Sequence, residues 1–205
     1  MDHVTGTARR LPIRPSVRNH LRVADPLPFV RITDFLSRTD AERLLGKMID
    51  RRGEFRPRGC NNTGHPAFYR MTSPLPTPPE FLCRFQDLAA LLEEQFGVSL
   101  QSPEIELLGQ AYNDGGSFAK HSDADAGGPN WRRRLSGVYY VHRRPKKFAG
   151  GDLAVYDDRG TRHLVEPDHN TVVFFSRDRL HEVLPVRCGS RAFEDSRFAF
   201  NVWIS

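Results

Sequence analysis

Residues 112–123 read Tyr-Asn-Asp-Gly-Gly-Ser-Phe-Ala-Lys-His-Ser-Asp, and no other stretch of the chain is as informative. His121 and Asp123 lie two positions apart, so on one extended strand their side chains point to the same face and can both reach one metal ion. In a chain with this content of His and Asp, a His-x-Asp pair is expected roughly 0.6 times by chance. The pair alone is therefore weak evidence, and its weight depends on the rest of the chain.

Short apolar runs separated by turn residues surround this stretch. Such runs are typical of β-strands, and they comprise residues 104–108, 135–141, 153–156, 171–175 and 197–204. An all-β second half behind a helical first half predicts a mainly β fold with supporting α-helices, of the jelly-roll kind.

His181 is the candidate third ligand. It follows the apolar run 172–175 and a polar turn, and a jelly roll can bring such distant strand ends together. Two histidines and one carboxylate leave three positions of an octahedral Fe(II) open, enough for a bidentate 2-oxo acid and for dioxygen. A structural metal site would instead close its coordination shell, commonly with thiolates, and no cysteine is suitably placed.

Arg197 is the candidate for holding the far carboxylate of such a 2-oxo acid. A planar guanidinium can donate two parallel charge-assisted hydrogen bonds to a carboxylate. Arg197 begins the apolar run 197–203, where a buried charge without an anionic partner would be costly. The alternative is an ordinary surface arginine at the start of a strand.

Over about residues 104–205, the chain resembles the catalytic half of the prolyl 4-hydroxylase-like Fe(II)- and 2-oxoglutarate-dependent oxygenases, a group that includes the animal oxygen-sensing prolyl hydroxylases and many bacterial relatives. The motifs occur in matching order and are specific in combination. They are residues 112–123, Gly150-Gly151-Asp152-Leu153, Phe174-Phe175, His181-Glu182-Val183-Leu184-Pro185-Val186 and Arg197-Phe198-Ala199-Phe200-Asn201-Val202-Trp203.

The resemblance implies a double-stranded β-helix, which is a cupin-like jelly roll, and a requirement for Fe(II), 2-oxoglutarate and O2, often with ascorbate in assays. It implies hydroxylation of an unactivated C–H bond, with prolyl or another amino-acid side chain as the expected target, in a protein, a peptide, a free amino acid or a carrier-bound intermediate. By position, it makes His121, Asp123 and His181 the catalytic iron ligands and Arg197, Tyr140 and Tyr112 the co-substrate contacts.

Two rival assignments stay open from the sequence. In the animal enzymes the anchoring arginine follows the last histidine by about ten residues, and Arg191 lies at that distance here, whereas Arg197 lies sixteen residues away. Arg197 is preferred because it heads the terminal strand, which makes residues 187–196 an enlarged turn. Asp125 is a rival to Asp123, but its offset from His121 fits strand alternation and the family pattern less well.

The first half of the chain is expected to support the catalytic core within a single domain. Residues 1–27 are rich in Arg and Pro and are interpreted as an extended basic arm. In 28–103, apolar residues at helical spacing predict one helix with a Thr39–Glu42 capping box and another from about Pro79 to Gly97. Residues 55–78, between the helices, are rich in Pro and Gly and are interpreted as a binding loop, a lid or a disordered surface loop. The catalytic core is expected to span 104–205.

Composition narrows the class of protein further. The chain of 205 residues has a net charge of +5 and three cysteines without paired spacing, which are interpreted as free thiols. It has no apolar run of membrane-spanning length or of the secretory-signal kind, so a cytoplasmic protein without membrane association is expected. The sequence does not indicate an oligomeric state.

Two other functions fit parts of the pattern. A nucleic-acid demethylase on the same scaffold would use the Arg-x5-Arg spacing of Arg191 and Arg197 and the positive charge. The intervening residues 192–196 do not resemble that family, so nucleic acid is not the expected partner. A cupin-like metal-binding module would use the same triad without turnover, and Arg197 and Tyr140 argue against it.

Overall fold

The computed structural model describes residues 27–60, 64, 66–124 and 132–205, and these form a mainly β structure supported by helices, which confirms the predicted fold class. The helices are α1 (Arg38–Asp50) and α2 (Pro79–Phe96). The strands are β1 (Phe29–Ile32), β2 (Phe55–Cys60), β3 (Pro66–Met71), β4 (Ile105–Tyr112), β5 (Phe118–His121), β6 (Leu135–Val141), β7 (Ala149–Gly150), β8 (Leu153–Tyr156), β9 (Arg162–Val165), β10 (Thr171–Ser176), β11 (His181–Val183), β12 (Val186–Arg187) and β13 (Arg197–Ile204). The predicted N-terminal arm lies outside the described residues except for Leu27.

The strands form two facing antiparallel sheets and a small ribbon. The large sheet has the order β1-β10-β6-β13-β4-β3-β2, the smaller one has the order β5-β11-β8-β9, and β12 pairs with β7. One apolar cluster lies between the large sheet and the helices and includes Phe81, Phe85 and Phe200. A second cluster, with Tyr140, Val155 and Phe175, fills the space between the sheets. The interior of the jelly roll is therefore bounded by both sheets.

The helices brace the outer face of the large sheet, as their apolar spacing predicts. Helix α2 begins at Pro79 and ends before Gly97, whose φ of +63° provides a left-handed C-cap, so the predicted start and stop are confirmed. Helix α1 begins earlier than predicted, because Ser37 rather than Thr39 caps it by accepting a hydrogen bond from the Asp40 amide. Among the described residues, no helix has the length and apolarity to cross a membrane.

The segment predicted as a loop or lid at 55–78 is largely sheet, and that prediction was wrong. Strands β2 and β3 form a hairpin, and β3 pairs with β4, with Phe68 opposite Tyr112. Local sequence conceals this hairpin because β2 contains Pro57 and its register shifts twice, so no period-2 pattern appears. Pairing with β4 supplies the backbone partners that the segment cannot supply itself.

Strand β13 connects the helix-facing core with the interior of the jelly roll. Phe198, Phe200 and Val202 pack in the cluster beneath the helices. Side chains alternate along a strand, so Arg197 and Trp203 lie on the opposite face, toward the smaller sheet. The two ends of β13 therefore place a cation and an indole on one interior wall.

Candidate metal and anion site

The structure brings His121, Asp123 and His181 together between the two sheets. His121 ends β5 and lies directly opposite His181 of β11, and their ring centroids are 4.2 Å apart. The amide of Asp123 donates to the Arg177 carbonyl, which fixes the chain just after β5. One ligand atom from each of the three residues lies within 4.8 Å of the others. This is the spacing that a single metal ion requires.

Both histidines are held with Nε2 free for a metal. Nδ1 of His121 lies 2.8 Å from the Ala119 carbonyl oxygen, and Nδ1 of His181 lies 2.9 Å from that of Arg179. A carbonyl oxygen can only accept, so each Nδ1 carries a proton, and Nε2 is the ring nitrogen that can bind a metal. Burial also lowers the pKa of His181 and favours its neutral form. The sequence fixes neither tautomer, because both depend on local backbone geometry.

Asp123 is arranged to offer one oxygen. Its Oδ2 accepts from the Ser136 hydroxyl and from Trp203 Nε1 at 3.1 Å, whereas Oδ1 lies 3.9 Å from His121 Nε2. Two donors on Oδ2 favour a carboxylate that binds a cation through Oδ1 alone. Sequence reasoning missed the roles of Ser136 and Trp203, which lie 13 and 80 residues from Asp123.

Arg197 lies in a buried polar pocket in the interior of the jelly roll. The residue is 1% exposed, and its Nε donates to the Gly151 carbonyl at 2.7 Å. Its Nη1 and Nη2 and the Tyr140 hydroxyl are buried without a hydrogen-bond partner in the described part of the chain. The Arg197 guanidinium carbon lies 4.9 Å from the centroids of the Tyr112 and Tyr140 rings. Burial raises the pKa of Tyr140 to about 12, so its hydroxyl stays a donor.

A carboxylate would complete this pocket. Leaving a buried guanidinium unpaired is costly, and a ligand carboxylate can accept from Nη1 and Nη2 together. Gly151 makes room for the arginine, because a Cβ there would lie 2.7 Å from Arg197 Cδ, and its φ is +74°. The donor set therefore fits the distal carboxylate of a 2-oxo diacid, and the His/Asp/His set fits Fe(II).

The remaining candidates differ in position. The Tyr112 hydroxyl donates to Gln110 at 2.8 Å, and the Tyr112 ring borders Arg197. Arg191 is exposed and directs its Nε toward Asp114 at the surface. The enlarged turn before β13 is held by Asn113, whose side chain donates to Ala192 and Ser196. Asp125 lies outside the described residues.

Comparisons with known proteins agree with this geometry. Residues 107–205 match the family model of the 2OG-Fe(II) oxygenase superfamily. An uncharacterized PKHD-type hydroxylase of Synechocystis sp. is 32% identical over 200 residues, which cover 87% of this chain and 63% of that protein. The chain therefore spans less than two thirds of the length of this relative.

Solved structures share the fold at lower identity. A Pseudomonas putida prolyl-4-hydroxylase superposes with a TM-score of 0.60 at 22% identity, covering 86% of this chain and 91% of its own. A prolyl 4-hydroxylase from Phytophthora capsici gives a TM-score of 0.61 at 23% identity, covering 88% and 59%. A Trichoplax adhaerens prolyl hydroxylase in complex with a hypoxia-inducible-factor peptide gives 0.60 at 15% identity, covering 86% and 83%.

Proposed function

We propose that the protein is an Fe(II)- and 2-oxoglutarate-dependent hydroxylase, because residues 107–205 match the family model of the 2OG-Fe(II) oxygenase superfamily. His121, Asp123 and His181 bind the iron, and Arg197 and Tyr140 bind the distal carboxylate of 2-oxoglutarate. The observation that carries this proposal is the buried Arg197, whose two terminal nitrogens have no hydrogen-bond partner among the described residues, in the same jelly-roll interior as the His121, Asp123 and His181 triad. A metal-binding module without turnover would have no use for that guanidinium.

When bound, Fe(II) and 2-oxoglutarate supply O2-dependent insertion of oxygen into an unactivated C–H bond, with succinate and CO2 as co-products. The side chains of the protein position the metal and the co-substrate. The Arg197 guanidinium holds the distal carboxylate of 2-oxoglutarate by two hydrogen bonds, and the Tyr140 hydroxyl donates to the same carboxylate. Ser136 and Trp203 hold Asp123 so that one carboxylate oxygen remains for the metal. The Tyr112 ring, stacked on Phe68 at 4.5 Å, helps to exclude water from the anion pocket.

We propose a prolyl or another amino-acid side chain as the target, in a protein, a peptide, a free amino acid or a carrier-bound intermediate. Support comes from the PKHD-type name of the relative and from prolyl hydroxylases among the structures with this fold. Stimulation by ascorbate and a cytoplasmic location remain predictions of the same proposal. Tyr112 as a co-substrate contact also remains a prediction, through its ring.

Succinate formation tests the proposal directly. Protein loaded anaerobically with Fe(II) and 2-oxoglutarate is exposed to air, with and without a panel of prolyl peptides and free amino acids, and succinate is quantified. Wild type should form iron-dependent succinate, and His121→Ala and Arg197→Ala should not. Arg191→Ala is the matched control, because Arg191 pairs with Asp114 at the surface. Loss of activity in Arg191→Ala but not in Arg197→Ala would contradict the assignment of the anchor.

Anaerobic binding provides a second readout that does not depend on the substrate. Wild type should bind Mn(II) and then 2-oxoglutarate, with Arg197→Ala losing only the second step. Metal binding without any binding of 2-oxoglutarate would favour the binding module and refute the oxygenase.

A further inference from the structure

A cavity of about 430 Å³ opens between the β2–β3 hairpin and the turn that leads into β5. This volume is within the range of sites that hold small ligands or single side chains of a peptide. Phe68 and Phe118 form its apolar wall, with ring centroids 5.7 Å apart. The centroid of the Phe118 ring also lies 4.6 Å from that of the His121 ring, so one wall of the cavity contacts a candidate metal ligand.

The polar lining of this cavity is cationic. Arg58 and Arg70 both line it, and within the described residues neither guanidinium forms an ion pair. The sequence gives them no acidic neighbour either, because residues 55–79 contain three arginines and neither Asp nor Glu. Arg56 lies directly opposite Arg70 across the hairpin, and like charges at such positions destabilise a sheet. Local folding does not account for this excess of positive charge.

Arg70 also connects the cavity with the metal ligands. Its guanidinium carbon lies 5.8 Å from the centroid of the Trp203 ring, and that indole donates to Asp123. Arg133 lies 3.8 Å from the same ring centroid and is already compensated by Glu106. Arg70 is thus a cation near the triad that has no carboxylate partner among the described residues.

We propose that Arg58 and Arg70 form a subsite for an oxyanion, a carboxylate or a phosphate, that the substrate carries close to the carbon that is hydroxylated. Two guanidiniums can bind such a group with charge-assisted hydrogen bonds, while Phe68 and Phe118 pack against the apolar part of the same molecule. The substrate class is therefore an anionic amino-acid derivative or an acidic or phosphorylated peptide. The assignment of this subsite to a substrate rests on the proposed hydroxylase function, but anion binding at the subsite can be measured without turnover.

The test is an NMR titration of the arginine Nε–H groups in ¹⁵N-labelled protein. Zn(II) replaces iron as a diamagnetic ion, and saturating 2-oxoglutarate fills the Arg197 pocket, so that added anions report on other sites. The probes are inorganic phosphate and acetate, titrated separately at constant ionic strength. Arg58→Gln and Arg70→Gln assign the two resonances and serve as the test variants. Arg38→Gln is the matched control, since Arg38 is exposed at the start of α1 on the other face of the large sheet.

The Arg58 and Arg70 signals should shift together and saturate with one dissociation constant. Each single Gln variant should weaken binding about tenfold, as expected for the loss of one charge-assisted contact, and Arg38→Gln should leave it unchanged. The probe with the lower dissociation constant identifies the preferred oxyanion. The subsite is refuted if neither signal saturates with either probe, or if the remaining arginine signal in each single Gln variant reports wild-type affinity.

Different results would refute the hydroxylase function and the anion subsite. Saturable binding at Arg58 and Arg70 in a protein that binds no 2-oxoglutarate would contradict the oxygenase and leave the anion subsite standing. Iron-dependent succinate formation without anion binding at these arginines would leave the oxygenase standing and refute the subsite.

Discussion

Replacing Trp203 with Phe tests how the structure holds the metal-binding carboxylate. The indole Nε1 donates to Asp123 Oδ2 at 3.1 Å, and the residue is 5% exposed at the interior face of β13. Phenylalanine keeps most of the aromatic packing and removes only the donor. Asp123 then keeps the Ser136 hydroxyl as its remaining partner on Oδ2 and is freer to rotate.

The expected loss follows from the kind of hydrogen bond removed. A hydrogen bond to a charged group contributes about 1.5–3 kcal/mol. Because each 1.4 kcal/mol corresponds to about a tenfold change in an equilibrium constant, metal affinity should fall about 10–100-fold, as is usual when a residue that orients a ligand is lost. Part of the lost interaction energy also appears as a lower free energy of unfolding of the metal-free protein, since the indole donor is absent there too.

The assay is anaerobic competition for Fe(II) or Mn(II) against a chromophoric chelator. Arg133→Gln is the matched control, because it removes the cation over the Trp203 ring but leaves the indole donor in place. That control should change the metal dissociation constant by less than about fivefold, since a cation–π contact contributes about 0.5–1 kcal/mol and does not touch Asp123. An affinity of Trp203→Phe equal to wild type, or a loss just as large in Arg133→Gln, would refute this reasoning.

Three further predictions concern the anion pocket and a buried histidine. Arg197→Lys replaces the planar guanidinium with a single ammonium group and should weaken 2-oxoglutarate binding about 10–100-fold. Calorimetry with Mn(II) bound measures this affinity, and a wild-type value would argue against bidentate binding of the carboxylate. Gly151→Ala places a side chain at a position with φ of +74° and against Arg197. It should lower the free energy of unfolding by about 1–3 kcal/mol and should also weaken 2-oxoglutarate binding. A loss of stability with unchanged 2-oxoglutarate affinity would show that Gly151 does not shape the anion pocket. Burial lowers the pKa of His142 from 6.5 to about 4, so the unfolded chain takes up the proton first, and stability should be lost as pH falls from about 6.5 toward 4. Denaturant unfolding should show about 2 kcal/mol lost between pH 7.5 and pH 5, and His142→Gln should lose less over that range; an equal loss in both proteins would place the pH dependence elsewhere.

The fold could be predicted in the places where local pattern decides it. Apolar runs of strand length are visible in β6, β10 and β13, and α2 carries its own stop signal in Gly97. The β2–β3 hairpin could not be predicted, because Pro57 and two register shifts erase its alternation and its hydrogen bonds depend on β4. The capping prediction at Thr39 failed for a smaller reason, namely that Ser37, two residues earlier, accepts from the Asp40 amide.

The sequence by itself determined which residue types the site would contain. The spacing of His121 and Asp123 predicted that both could reach one metal ion, and the positions of His181 and Arg197 relative to apolar runs made them candidates. The resemblance added Tyr140 and Tyr112. These candidates lie in the same interior, although their separation along the chain reaches 85 positions, from Tyr112 to Arg197.

Tertiary structure decided how those residues are held. The carbonyl of Gly151 on Arg197, the indole of Trp203 on Asp123, and the backbone oxygens that set both histidine tautomers are found only in the folded chain. The same holds for the different surroundings of the two arginines, because Arg197 is buried while Arg191 pairs with Asp114 at the surface. The contacts of Arg197 and Trp203 join residues distant in sequence, and those of the histidines depend on the backbone path at the strand ends, so no local sequence pattern encodes them. Their strength depends on burial, which exists only once both sheets have closed.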